Sequence, residues 1–169
     1  MYKLATDGTL TVLYAFSGGT DGANPSGGLI RDNAGNLYGT TVNGGSGWGI
    51  VFRLASDGTE TTLYTFKGGS DGAVPTGGLI QDKVGNLFGT TEIGGTDTGC
   101  VFGDGCGTVF ELSPDGTETQ LHVFKGGTTD GGIPYVGLYE RAGYLYGTTY
   151  EGGSGSCSGG CGTVFRLKR

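Results

Sequence analysis

The sequence predicts an all-β protein, a β-propeller made of four-stranded blades with three blade-equivalents in the chain. The first observation is repetition: the stretch at 51–91 recurs upstream at 1–41 and downstream at 107–149, and a repeat of this length indicates a repeat architecture. The second is that each repeat holds four short β-prone runs bounded by turn residues, as a propeller blade requires. The third is that no stretch has a helical period of useful length.

The four runs follow one another in the same order in every repeat. A VFRL-type run is followed by a D-G turn and a TLYTF-type run; a long Gly/Asp/Pro loop leads to a GGLI-type run, and a tight turn leads to an LYGTT-type run. We expect the outer two strands at 51–54, 109–112 and 164–167 and at 13–16, 62–66 and 120–124. Glycine favours the innermost position, where backbones approach closely, so the order from centre to rim should be GGLI, LYGTT, VFRL and TLYTF.

The chain is interpreted as a single repeat domain, 1–169, with repeats at about 1–48, 49–106 and 107–161 and a closing strand at 162–169. Three blades are too few for the usual ring of about 4–8. We therefore expect a homodimer that closes a six-bladed ring, because natural proteins seldom leave sheet edges unpaired, or else a segment of a longer array. A β-trefoil, which also has three four-stranded repeats in one domain, is the alternative fold.

The repeat motif resembles a known family. GNLYGTT at 35–41, GNLFGTT at 85–91 and GTVFEL at 107–112 are similar to the GloVer-type tandem repeats of bacterial surface and secreted proteins, and the resemblance covers essentially the whole chain. It implies a β-propeller on the outside of a bacterium, and it carries over no catalytic residues. The third repeat departs from the pattern, since Tyr144 stands where the others have Asn36 and Asn86.

Composition and charge exclude several classes of protein. Glycine accounts for 40 of the 169 residues, but it recurs at the same places in each repeat, which is typical of turns rather than of disorder. The net charge is -6 with no basic stripe, so nucleic acid is not an expected partner. No apolar run reaches the roughly 20 residues of a membrane helix, so no membrane insertion is expected. No signal peptide opens the chain, and we therefore expect a mature piece.

The four cysteines form two close pairs in the sequence, Cys100 with Cys106 and Cys157 with Cys161, and each pair directly precedes a GTVF run. Four cysteines allow three connectivities, and equivalent placement in two repeats favours two local disulfides. A zinc site is the alternative, but the spacings and the presence of a single histidine argue against it. Disulfides indicate an oxidising compartment, so an extracellular or cell-surface location is expected.

In a propeller with this strand order, two sets of loops emerge on one side, which we call the long-loop face (18–25, 68–75 and 126–135; 42–48, 92–106 and 150–161). Long loops on a rigid scaffold often carry binding residues, so we expect function there. Asp21, Asp71 and Asp130 recur in these loops. They are either ligands for a metal or a sugar hydroxyl, or turn-forming carboxylates that bond nearby backbone amides; no calcium-loop motif accompanies them.

Aromatic residues on the same face are further candidates for ligand binding. Trp48 is the only tryptophan, and it stands where the other repeats carry Cys106 and Cys161. It either stacks on the flat face of a sugar or fills the space that the disulfides fill elsewhere. Tyr135 and Tyr150 are additional aromatic platforms.

Three function classes compete, and the preferred one is an extracellular, lectin-like module that binds a glycan or another surface polymer. Its support is repetition, because several weak sites on one ring raise avidity. The alternatives are a structural spacer of a cell-surface protein and a polysaccharide-degrading enzyme. An enzyme needs a tuned acid or base, whereas the chain offers one histidine, His122, and scattered acids such as Glu92 and Glu151. We expect no catalytic residue, cofactor or bound metal.

Overall fold

The computed structural model describes residues 1–96, 99–100 and 103–169. Their strands form an N-terminal hairpin, three larger sheets and a short ribbon. The hairpin contains β1 (Tyr2–Leu4) and β2 (Leu10–Val12), and the first sheet contains β3 (Ala23–Arg31), β4 (Leu37–Asn43), β5 (Ile50–Leu54) and β6 (Glu60–Thr65). The second sheet contains β7 (Ile80–Gln81), β8 (Leu87–Thr91), β9 (Thr108–Leu112) and β10 (Glu118–Val123). The ribbon contains β11 (Gly131–Gly132) and β14 (Glu151–Gly152), and the third sheet contains β12 (Tyr139–Arg141), β13 (Tyr144–Thr149) and β15 (Thr163–Lys168).

The strand order within the sheets is the predicted one. Antiparallel neighbours run β3-β4-β5-β6 in the first sheet, β7-β8-β9-β10 in the second and β12-β13-β15 in the third. The described strands thus lie in separate sheets and form no closed barrel. The β-trefoil alternative requires such a barrel. Helix in the described ranges is limited to one 3-10 turn, Gly69–Asp71, and no helix there reaches the length and apolar character needed to span a bilayer.

The D-G turns connect β1 to β2, β5 to β6 and β9 to β10, and these three strand pairs have the same register. In each turn an aspartate Oδ1 accepts the backbone N–H of the threonine two residues on at 2.9 Å, and the intervening glycine is left-handed, as at Asp57, Gly58 and Thr59. The equivalent cross-strand pairs are Tyr2↔Val12, Phe52↔Thr62 and Phe110↔Gln120. The hairpin therefore has the same register as the outer two strands of the four-stranded sheets.

The strand expected at 13–16 lies instead at β2, Leu10–Val12. In the two complete sheets the outer strand continues to Thr65 and Val123, because its partner strand begins at Ile50 and Thr108. β1 begins at the position equivalent to Phe52, so β2 ends earlier, where Leu13 N–H bonds to Met1 O at 3.0 Å. The length of each partner strand sets the length of the rim strand.

An equivalent pair of phenylalanines lies at each junction between neighbouring sheets. A phenylalanine from each TLYTF segment meets, edge to face, the phenylalanine of the VFRL strand in the next sheet. The pairs, with centroid distances, are Phe16 and Phe52 (5.1 Å), Phe66 and Phe110 (5.3 Å), and Phe124 and Phe165 (5.1 Å). Each sheet thus lies against the one before it in the chain, and the core lies between the sheets.

The innermost segments of the three sheets meet backbone to backbone. A Cβ added to Gly78 would lie 3.3 Å from Gly28 N, and one added to Gly137 would lie 2.9 Å from Gly78 O. A side chain at Gly137 would clash with the Gly78 backbone, and one at Gly78 would be tightly packed against Gly28. This close approach is the reason for the glycine-rich GGLI segment at the centre.

Candidate functional site

The two long loops of each repeat are hydrogen-bonded to each other. Within each repeat, the loop that enters the sheet accepts a backbone hydrogen bond from the loop that follows the LYGTT strand. The three bonds, from N–H to carbonyl oxygen, are Gly45 to Gly19 (2.9 Å), Gly95 to Gly69 (2.9 Å) and Gly153 to Gly127 (3.0 Å). The variable loops are therefore hydrogen-bonded to the loops that recur in each repeat.

The loop aspartates bond to their own loops and to the rim strands. The Asp21 carboxylate accepts hydrogen bonds from the Ser17 backbone N–H (2.7 Å) and hydroxyl (2.6 Å) and from the Tyr14 hydroxyl (3.1 Å). Asp71 accepts the Tyr64 hydroxyl at 2.5 Å. The bonds from Ser17 hold the pKa of Asp21 below its usual value. These hydrogen bonds support the turn-forming interpretation. A ligand-binding role for these aspartates stays a prediction.

The third loop aspartate, Asp130, contacts a histidine where the other two accept a hydrogen bond from a tyrosine hydroxyl. Asp130 Oδ2 lies 3.1 Å from His122 Nε2, and Asp130 Oδ1 accepts the Gly131 N–H at 2.9 Å. His122 stands at the position of Tyr14 and Tyr64 and makes the same kind of contact between rim strand and loop. The single histidine is thus part of the loop scaffold.

Trp48 and the first disulfide occupy equivalent places. A Cβ added to Gly68 would lie 2.8 Å from Trp48 Nε1, and one added to the equivalent Gly126 would lie 2.9 Å from Cys100 Sγ. Trp48 therefore covers the glycine that the Cys100–Cys106 disulfide covers in the next repeat, while part of its ring stays exposed. Both disulfides predicted from the sequence, Cys100–Cys106 and Cys157–Cys161, are confirmed.

Tyr135 and Tyr150 form an exposed aromatic corner. Their ring centroids are 5.7 Å apart at an interplanar angle of 81°, and both side chains are exposed. Burial of its hydroxyl end and a hydrogen bond with Glu92 raise the pKa of Tyr135, so a carboxylate stands beside the corner. The structure thus brings together two of the predicted aromatic residues and adds Glu92, whereas Trp48 lies at the junction one repeat earlier.

A cleft that the sequence motifs do not predict lies on the side opposite the long loops. A cleft of about 350 Å³ opens between the first and second sheets, and Tyr38, Arg53 and Gln81 contribute polar groups beside an apolar wall that includes Leu87 and Leu112. Its lining comes from turns and strands of two different repeats. Only the packing of one sheet on the next creates this cleft, so periodicity and motif spacing contain no signal for it.

Glu118 is a perturbed acid next to the loop of Asp71. It lies half-buried in β10, and its Oε1 is buried without a hydrogen-bond partner among the described residues. Burial and, to a smaller extent, the Asp71 charge raise the pKa of Glu118 from its usual 4.5 to about 7, against the opposing effect of the Lys67 charge. Glu118 is therefore protonated in the folded chain at pH values where it is ionised in the unfolded chain.

This shift predicts a pH-dependent stability. Between pH 4.5 and about 7 the unfolded chain loses the Glu118 proton and the folded chain keeps it, so stability falls as the pH rises through this window. Glu118→Gln should match the wild type at the acidic end and exceed it by about 1 kcal/mol at the alkaline end, a value reduced for solvent screening. Urea unfolding across this pH range measures the difference. Exposed Glu140→Gln is the control, and an equal gain at both ends would contradict the prediction.

These features define the class of protein: an all-β tandem-repeat protein with two disulfides and a pair of hydrogen-bonded long loops in each repeat. The chain belongs to the Gloeobacter/Verrucomicrobia repeat family, whose sequence model matches residues 1–169. The match confirms the resemblance that the GNLYGTT and GTVFEL motifs indicate.

Among solved structures, the chain is similar to an X-ray structure provisionally assigned as a gluconolactonase. The two share 21% sequence identity with a TM-score of 0.46, over 83% of this chain and 43% of that chain. The chain thus spans less than half the length of that structure. No curated protein matches the sequence.

Proposed function

We propose that the chain forms part of a β-propeller with three blade-equivalents. The first and second sheets are complete blades, and the third sheet and the hairpin are partial ones. The strand order from the glycine-rich centre to the rim supports this proposal, because propeller blades are four-stranded antiparallel sheets arranged around an axis. The repeated phenylalanine contacts support it too, since each sheet packs on the next in the same way. On this arrangement the long-loop face is one end of the propeller.

We further propose that the long-loop face binds an extracellular glycan. The observation that carries this proposal is the corner formed by Tyr135 and Tyr150 beside Glu92. A sugar ring has apolar C–H faces and a hydroxyl edge, so exposed aromatic rings can stack on it while a carboxylate accepts its hydroxyl protons. Trp48 offers a second exposed ring at the previous junction.

The disulfides of the long-loop face support an extracellular location. All four cysteines are paired in disulfides that close loops of the long-loop face. Such bonds persist in oxidising compartments. The polymers of the cell surface and its surroundings are therefore the ligands to test first.

An array of neutral and acidic oligosaccharides is the direct test, followed by calorimetric titration of the best ligand. Tyr150→Ala and Trp48→Ala should each weaken binding by about tenfold, because one aromatic contact is worth roughly 1–1.5 kcal/mol. Both side chains are exposed, so neither change should unfold the chain.

Tyr2→Ala is the matched control, since Tyr2 is an exposed aromatic residue on the N-terminal hairpin, away from the long loops. It should bind like the wild type. An array without any ligand would favour the structural-spacer alternative, and cleavage of a polysaccharide would favour the enzyme; either result would overturn the proposal.

A further inference from the structure

The two junctions between the three larger sheets use the same positions. Between the first and second sheets, Ile30, Tyr38 and Val51 on the back of the first sheet pack against the front of the second sheet, where Leu79 and Phe110 lie. The equivalent residues repeat this contact between the second and third sheets: Ile80, Phe88 and Val109 meet Leu138, Leu145, Phe165 and Leu167. A sheet thus has a back face that packs on the following sheet and a front face that packs on the preceding one.

The exposed apolar residues lie where one more such junction would form. On the back of the third sheet, Val164 is 81% exposed, while Val51 and Val109 at the same position are fully buried. On the front of the first sheet, Leu29 is 42% exposed, compared with 3% for Leu79. The chain therefore carries both halves of an unfilled junction, a back face at the third sheet and a front face at the first.

The incomplete sheets match each other as well. The third sheet has the inner three strands, ending at β15 with no outer strand among the described residues, and the hairpin has only the outer two. β1 occupies the position in the hairpin that β15 occupies in the third sheet, because Tyr2 is equivalent to Phe52 and Phe165. β1 is also loosely packed, since Tyr2 and Leu4 are exposed whereas Phe110 and Leu112 are buried.

We propose that two copies of this chain close head to tail into a six-bladed ring, with β15 of each copy pairing with β2 of the other. β15 replaces β1, so that each third sheet gains its missing rim strand. The back face around Val164 and Tyr139 then covers Leu29 of the second copy, as Val51 and Ile30 cover Leu79 within one chain. This inference rests on the proposed propeller arrangement and does not depend on the glycan ligand.

Strand exchange is favourable because it replaces a short pairing with a longer one. β1 pairs with β2 over three residues, whereas β15 is a six-residue strand that can extend along residues 10–16 of the partner chain. The exchange also removes two exposed sheet edges, which are otherwise sites of uncontrolled association. Two identical head-to-tail contacts close the ring, so assembly stops at two copies.

Light scattering coupled to size-exclusion chromatography tests the oligomeric state directly. The wild-type chain at micromolar concentration should have twice the mass of one chain, and Val164→Asp and Leu29→Asp should each have the mass of one. Both residues are exposed in the single chain, so circular dichroism should show an unchanged fold. Val84→Asp, at an equally exposed valine in the turn between β7 and β8, is the control and should stay dimeric. A wild type with the mass of a single chain overturns the proposal.

An engineered cross-link tests the register. Arg53 pairs with Thr61 in the first sheet, and the equivalent positions across the proposed interface are Arg166 and Thr11. Thr11→Cys combined with Arg166→Cys should therefore give a covalent dimer on oxidation, whereas Thr11→Cys with Thr163→Cys, four residues out of register in the sheet, should not. Cross-linking of both pairs alike would contradict the proposed strand exchange.

The glycan proposal and the dimer proposal can be rejected independently of each other. Tyr150→Ala should lose glycan affinity and keep the mass of a dimer, because Tyr150 lies on the long-loop face. Val164→Asp should lose the dimer and keep an intact Tyr135–Tyr150 corner. A chain that dimerises without binding any glycan therefore retains this inference and rejects only the ligand.

Discussion

Replacing Phe110 with alanine is expected to destabilise the chain by about 3–5 kcal/mol, the usual cost of removing a buried phenylalanine ring. Phe110 is 1% exposed. Its ring lies against Gly89, where an added Cβ would be 2.6 Å from Phe110 Cζ, and it meets Phe66 edge to face across the junction. These neighbours are held by their own strands, so the cavity cannot collapse fully. Urea unfolding followed by Trp48 fluorescence measures the loss.

Tyr2→Ala is the matched comparison, because Tyr2 occupies the same position of the repeat as Phe110. Tyr2 is 68% exposed, so its removal should change the free energy of unfolding by no more than about 0.5 kcal/mol. Similar losses for the two variants would mean that the junction between the sheets does not supply the stability assigned to it.

Replacing Gly107 with alanine should destabilise the chain by about 3 kcal/mol or more, from two effects that add. Gly107 has a left-handed φ of +87°, which costs an L-residue about 1–2 kcal/mol. An added Cβ would also lie 2.3 Å from Thr91 O and 2.7 Å from Pro134 Cδ, and overpacking of this kind costs about 1–3 kcal/mol. Chemical denaturation gives the sum of the two.

Gly116→Ala separates the two effects. Gly116 has nearly the same backbone angle, φ +88°, but the nearest atom to an added Cβ is Leu63 O at 3.9 Å. This variant should lose only the conformational part, about 1–2 kcal/mol. If the Gly116 and Gly107 variants lost equal stability, the close approach of the third-sheet loop at Pro134 would play no part.

Local features of the fold were predictable because they depend on neighbours in the sequence. The strand order from GGLI to TLYTF follows from the order of the runs and the tight turns between them. The two disulfides join cysteines four and six residues apart in the sequence, and the equivalent placement of the two pairs in two repeats favoured this pairing. The strand at 13–16 was wrong because its length depends on the partner strand, and that partner is shorter in the hairpin than in the sheets.

The candidate site was predictable only in part. The sequence placed Trp48, Tyr135 and Tyr150 on long loops, but it contained no distance between them. The 5.7 Å contact of Tyr135 with Tyr150 joins residues on separate loops, and the contribution of Glu92 comes from the preceding repeat. The shifted pKa of Glu118 depends on burial and on the Asp71 charge, neither of which a motif contains.

By itself the sequence determined the all-β class, the four-strand repeat, the turns and the disulfide pairs, because each is fixed by residue types within one repeat. Only the tertiary structure decided which copy of a repeated position is buried and which is exposed. Phe110 and Tyr2 stand at one position of the repeat, as do Val51 and Val164, yet each pair divides into a buried and an exposed residue. The physical reason is that a sheet face is buried by the sheet that packs on it, so burial depends on a neighbour in space that the repeat motif does not encode.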